Sequence, residues 1–321
     1  MKTRGILFSV LLLVSYHMLT LYWQKTSLKI TLGQGKRSYN TIKTQEFLYD
    51  EKTKYNCLLG TSLSVGIPQE NLPNNFYNLA LGGQTVLDGL KILMLKKQLP
   101  DTIYVEINYI TKDNNPKFIN GFAQNKIEIT VKKYLPMLQE KYVPVGILAN
   151  YFATLNYKID LGMPQTNNRY FFYWNYFIGI IKNKFFADSP ATNLSNKGNN
   201  KTTVFRKLLE MEKTRHTVIP NKENLELTFQ EVQTYIRSLE KKSVVFAFYE
   251  TPVNCELNGL ALSRFNREIV EKNFPFYRYK YIMDANCSDY STRDGTHLEY
   301  QDAKKFGDYL SEQMKKLQNK R

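Results

Sequence analysis

Five residues in this 321-residue chain have types and positions that suit acyl chemistry: Ser62, Gly83, Asn108, Asp294 and His297. Ser62 follows Gly60-Thr61 at the end of an apolar run. A serine just past a strand, at a glycine turn before a helix, carries its hydroxyl at the carboxyl edge of a sheet. The first-turn N–H groups of that helix face any oxyanion formed there. Taken alone, Ser62 reads better as a helix N-cap. Gly83, in Gly82-Gly83-Gln84-Thr85, lets the backbone approach a ligand and offers a second N–H donor, though an ordinary turn explains it equally well. Asn108, two residues beyond Glu106, can present its amide to a developing negative charge or cap a turn. The chain has three histidines. His17 lies in an apolar N-terminal run, and His216, in the charged segment KTRH, reads as a solvated loop residue. His297 remains as a base. Asp294, three residues earlier, can hold one ring nitrogen so that the other faces the serine. The plainer alternative is a turn with an Asx-type cap.

These residues need a scaffold that brings both ends of the chain together. Strand-like runs occur at 56–60 (NCLLG), 76–81 (FYNLAL), 102–108 (TIYVEIN), 243–249 (SVVFAFY) and 276–283 (FYRYKYIM). Helix-like runs occur at 85–97, 127–141, 224–241, 261–273 and 298–317. In the last, Tyr300, Ala303, Phe306, Tyr309 and Leu310 share one face. Strands alternating with helices imply a mainly parallel sheet covered on both faces. Ligand sites in such sheets lie at the strands' carboxyl ends. The stretch 109–242 reads as an insertion or lid. It includes the aromatic run 170–181 (YFFYWNYFIGII), expected as a packed helix rather than a second membrane span.

In this order the motifs resemble the SGNH/GDSL hydrolase superfamily. GTSL at 60–63, NLALGGQT at 78–85, VEIN at 105–108 and DGTH at 294–297 match its four blocks. One departure is Thr61, where the usual residue is Asp. That position is not the nucleophile. The resemblance implies a flavodoxin-like three-layer α/β/α sandwich with a mainly parallel five-stranded sheet. It also implies a Ser62–His297–Asp294 triad, an oxyanion hole of the Ser62 and Gly83 N–H groups with the Asn108 amide, and no cofactor or metal. Members with G-[ST]-S in the first block are similar to membrane-anchored proteins of alginate and cellulose acetylation and of D-alanyl transfer to teichoic acids. That branch implies a multi-span membrane O-acyltransferase as partner.

The N-terminus fits such an anchor. Lys2 and Arg4 precede a run, 5–23, that lacks Asp, Glu, Lys and Arg. At the helical rise it spans roughly 28 Å, close to a bilayer core. Tyr22 and Trp23 end it as interfacial aromatics do. No small-x-small cleavage pattern follows, so an uncleaved signal-anchor is expected. The expected organisation is a cytoplasmic tip and span (1–23), a stalk (24–53) and an extracytoplasmic catalytic domain (54–321). The net charge of +15 favours anionic partners such as lipid headgroups or wall polymers, although most lysines read as solvated surface. The anchor and the lack of a nucleic-acid motif argue against nucleic acid. Cys57, Cys255 and Cys287 form no zinc-type cluster. Cys57 is expected to be a buried thiol, and Cys255 and Cys287 are free to pair in an oxidising compartment. The function expected is a serine esterase or O-acyl(acetyl)transferase acting on acylated cell-surface glycan. The alternative is a non-catalytic glycan-binding protein on a degenerate hydrolase fold.

Overall fold

The computed structural model describes residues 2–25, 36–50, 55–123, 126–144, 200–283 and 285–319. The chain divides into two compact units, one of residues 1–49 and 125–195, the other of residues 50–124 and 196–321. The segment 109–242 is therefore divided between them. The aromatic run 170–181 lies outside the described residues.

In the first unit, α1 (Lys2–Lys25) is one continuous helix. Its stretch Arg4–Trp23, with mean hydropathy 1.8, is long and apolar enough to cross a membrane. Residues 4–15 are exposed all round, whereas Thr20 is buried. Residues 36–49, within the span read as a stalk, form α2 (Lys36–Tyr49), which buries Ile42 and Phe47. The helix expected over 127–141 is shorter, with α6 covering Lys126–Tyr134. Two 3-10 turns follow, Pro136–Leu138 and Glu140–Tyr142. Pro136 ends α6, because a proline has no N–H to continue the ladder and disfavours helical geometry at Leu135. α1 packs against the first turn and α2 against the second.

The second unit is α/β. Strands β1 (Asn56–Leu59), β2 (Phe76–Asn78), β3 (Thr102–Glu106), β4 (Val245–Tyr249) and β5 (Lys280–Ile282) form one sheet in the order β2-β1-β3-β4-β5. Every pairing is parallel. The order reverses between β1 and β3, the switch point where doubly wound sheets open a crevice at their carboxyl ends. The helices of this unit are α3 (Ser62–Val65), α4 (Val86–Leu95), α5 (Pro116–Ala123), α7 (Asn200–Thr217), α8 (Lys222–Glu240), α9 (Cys255–Asn258), α10 (Ala261–Asn273) and α11 (Tyr300–Asn319).

Side-chain alternation gives the sheet two apolar faces. On one, Leu58, Tyr104, Ala247, Tyr249 and Ile282 meet Ala303, Phe306, Leu310 and Met314 of α11. Tyr300, expected on that helix face, is 46% exposed instead. On the other face, Leu59 meets α4, the Phe248 ring lies tilted against Phe274, and α4 packs on α8. α4 begins with a reciprocal capping box between Thr85 and Asp88. A disulfide joins Cys255 to Cys287, and Cys57 is a buried free thiol.

Gly89 is where α4 comes closest to the sheet. A Cβ there would lie 2.2 Å from Leu59 Cδ1, inside a fully buried layer. Overpacking outweighs alanine's helix preference at this position. Gly89→Ala should lower stability by about 1–3 kcal/mol, against a propensity gain of roughly 0.5–1 kcal/mol. Thermal unfolding followed by circular dichroism reads the sign.

Candidate active site

The turn from β1 into α3 presents Ser62. Thr61, not Ser62, is the N-cap: its hydroxyl oxygen accepts from Leu63 N–H at 3.3 Å. Ser64 and Val65 N–H groups donate to the Thr61 carbonyl. Among the described residues no acceptor takes the Ser62 N–H.

Beneath this turn lies a buried polar network. The Glu106 carboxylate, at the end of β3, accepts from Thr61 N–H (3.0 Å), Thr61 Oγ1 (2.7 Å) and Ser64 Oγ (2.5 Å). Tyr249 Oη donates to Ser64 Oγ at 2.7 Å. Burial pushes the Glu106 carboxyl above its ordinary value, and these hydrogen bonds pull in the opposite direction. Gly60 is required by crowding, since a Cβ would lie 2.6 Å from Glu106 Oε2 and 2.8 Å from Tyr249 Oη. Thr61, the departure from the first block's usual pattern, is thus committed to this network.

The other half of the site is the loop from Thr292 to Leu298, closed by an antiparallel bridge between those two residues. Arg293 N–H donates to the His297 carbonyl at 2.9 Å. Asp294 divides its two oxygens between tasks. Oδ1 caps the turn, accepting from Thr296 N–H (3.0 Å) and His297 N–H (2.8 Å). Oδ2 lies 2.7 Å from His297 Nδ1. The Asx-type turn and the imidazole support therefore coexist in one carboxylate. His297 Nε2 is 3.0 Å from Ser62 Oγ. The sequence-distant Ser62, His297 and Asp294 are joined in one hydrogen-bonded chain, which can transfer the serine proton to the imidazole. Burial raises the Asp294 carboxyl, but the His297 ring and the His297 and Thr296 N–H groups more than offset this. The carboxyl is held well below the usual carboxylate range and stays ionised.

Gly295 sits at φ +95°, and a Cβ there would lie 2.8 Å from Leu209 Cδ1 of α7. α7 thereby braces the histidine-bearing loop. Leu209 also joins Leu63, Val253 and Leu257 in an apolar cluster beside the serine turn.

Of the two other expected oxyanion donors, Asn108 has its amide engaged elsewhere. The Asn108 amide clasps the Thr251 backbone, donating to its carbonyl at 2.9 Å and accepting its N–H at 2.8 Å. It ties the segment after β3 to the segment after β4. Gly83 has φ +76° in an exposed turn. Neither residue lines the cavity of about 630 Å³ that opens at Ser62 and His297. That cavity has apolar walls at Leu63, Leu225 and Leu262, with Lys112 and Arg215 at polar positions.

Sequence reasoning missed two groups. Glu106 had a signal: it is the only charged residue in an otherwise buried strand. His216 had none. It is not a solvated loop residue but the buried end of α7, and it lines the same cavity. Its Nε2 is 2.9 Å from Tyr109 Oη, and its Nδ1 is 3.0 Å from Ser263 Oγ. Burial lowers its pKa, so the neutral ring is favoured.

No protein-family model matches this chain, nor does any curated protein.

Asp294 gives a stability test. Its folded pKa is depressed relative to an unfolded value of about 3.9. Its contribution is therefore present above that pH and is lost as pH falls through the folded value. Asp294→Asn should reduce the urea midpoint at pH 7, and the gap from the parent should close progressively below about pH 4.

Proposed function

We propose that the protein is a membrane-anchored serine enzyme of the SGNH type, an esterase or O-acyl(acetyl)transferase acting on acyl esters of cell-surface polysaccharide outside the cytoplasm. The observation that carries this reading is the continuous chain Ser62 Oγ–His297 Nε2 (3.0 Å) and His297 Nδ1–Asp294 Oδ2 (2.7 Å).

In this reading Ser62 Oγ attacks the ester carbonyl as His297 Nε2 takes its proton. Ionised Asp294 keeps the ring in the tautomer that accepts at Nε2 and stabilises the imidazolium. The Ser62 N–H, which has no acceptor among the described residues, faces the developing oxyanion. His297 returns the proton to the leaving alcohol, and the acyl group remains on Ser62. Water resolves the acyl-enzyme in hydrolysis; a glycan hydroxyl does so in transfer. The Cys255–Cys287 disulfide supports an oxidising, extracytoplasmic setting. The apolar helix α1 supports anchorage. A multi-span membrane O-acyltransferase is the partner class this reading favours.

A second reading is a non-catalytic glycan-binding protein on the same scaffold. It is favoured by the Asn108 amide, which is held on the Thr251 backbone instead of being left for an oxyanion.

A fluorophosphonate probe separates the two. Catalysis predicts covalent labelling at Ser62 in the folded full-length protein. Ser62→Ala should abolish labelling and ester turnover. His297→Ala should slow turnover by about 100-fold or more. Folded protein that resists the probe, or Ser62→Ala that retains turnover, overturns the enzymatic reading.

A further inference from the structure

We propose that α6 and the 3-10 turn after it form a second membrane contact, lying in the lipid headgroup region beside the span of α1. This rests on the reading of α1 as a membrane anchor.

Three observations within the first unit carry it. The first is an outward apolar stripe. Ile127, Val131, Tyr134 and Leu138 fall on a spacing of four, three and four residues, and are 74%, 39%, 70% and 43% exposed. Ile127, Val131 and Tyr134 share one face of α6, and Leu138 belongs to the 3-10 turn that follows it. Large apolar side chains grouped on a surface mark a contact with something other than water.

The second is attachment to the span. The Pro136–Leu138 turn packs against α1, and Tyr16 Oη donates to the Tyr142 carbonyl. Tyr16 lies seven residues before Trp23, about 10 Å along the helix axis from the end of the apolar stretch. A bilayer that takes up the apolar stretch of α1 therefore reaches these turns, at about the depth to which an interfacial helix buries its apolar face. The stripe borders the lipid without any further element being needed to carry it there.

The third is charge. Residues 126–141 contain Lys126, Lys132, Lys133 and Lys141 against Glu128 and Glu140. The Lys133 ammonium lies 5.7 Å from the Tyr134 ring centroid. Lys132 and Lys141 are paired with Glu128 and Glu46, so the segment's contribution is a tyrosine flanked by a modest excess of lysine, a combination that suits the interface. An amphipathic helix of this kind lies in the membrane plane.

The test uses the full chain in vesicles of phosphatidylcholine and phosphatidylglycerol. Tyr134→Cys is labelled with an environment-sensitive fluorophore. Tyr277→Cys, at a position 92% exposed in the second unit, is the reference. Cys57 is buried and the other two cysteines are disulfide-bonded, so each introduced thiol labels selectively. Flotation with the vesicles reports the anchor. Lipids carrying a nitroxide near the headgroup report the contact. The expected result is flotation of both proteins, with blue-shifted, strongly quenched emission at 134 and unquenched emission at 277. Val131→Glu with Leu138→Glu should keep flotation and remove the quenching at 134. Flotation without quenching at 134 overturns the contact while the anchor stands. Failure to float overturns both.

Discussion

Glu106 is a carboxylate at the end of a buried strand, and the serine turn is built upon it. Three donors converge on it, from Thr61 N–H, Thr61 Oγ1 and Ser64 Oγ, and Tyr249 supports Ser64 from the next strand. The register that pairs Glu106 with Tyr249 brings these groups together. Removing such an acceptor would strand several buried donors, each costing about 1–3 kcal/mol. The turn is therefore over-determined from below, which leaves Ser62 free to serve the cavity side. The absence of a side chain at Gly60 makes room for the carboxylate and the tyrosine at once.

The opposite wall is held in a comparable way. Asp294 spends one oxygen on its own turn and the other on the imidazole. The disulfide from Cys255 to Cys287 ties the segment after β4 to the one that leads into this loop. The Asn254 N–H adds a hydrogen bond to the Gly295 carbonyl at 2.8 Å. Backbone, carboxylate and covalent link thus act on the same few residues, and the histidine ring is positioned by all of them.

Much of the second unit was legible in the sequence because its signals are local. All five strand-like runs contain a strand, since buried parallel strands read as short apolar runs between turn residues. The helix at 261–273 is observed as Ala261–Asn273. Ser62, Asp294 and His297 were legible because each falls at a turn, where a half-buried polar side chain has no packing role. The misses are non-local. Nothing in VEIN tells that the Asn108 amide meets Thr251, more than a hundred residues away. Nothing in KTRH tells that His216 is buried between Tyr109 and Ser263. α2 has a weak apolar face, and only Ile42 and Phe47 in place show that it packs. In each case tertiary contact, not local pattern, decided the outcome.

The meeting of Leu209 with Gly295 has a consequence for anyone who would re-engineer this scaffold. α7 supplies part of the cavity wall through Arg215 and His216, yet the same helix presses directly on the loop that carries the base. Wall and base are not separable modules. A grafted helix with a bulkier residue at position 209 would push Gly295, and with it the Asp294–His297 hinge, off Ser62. Selectivity in this protein cannot be redesigned from the wall alone; any exchange of α7 has to be drawn together with the loop it leans on.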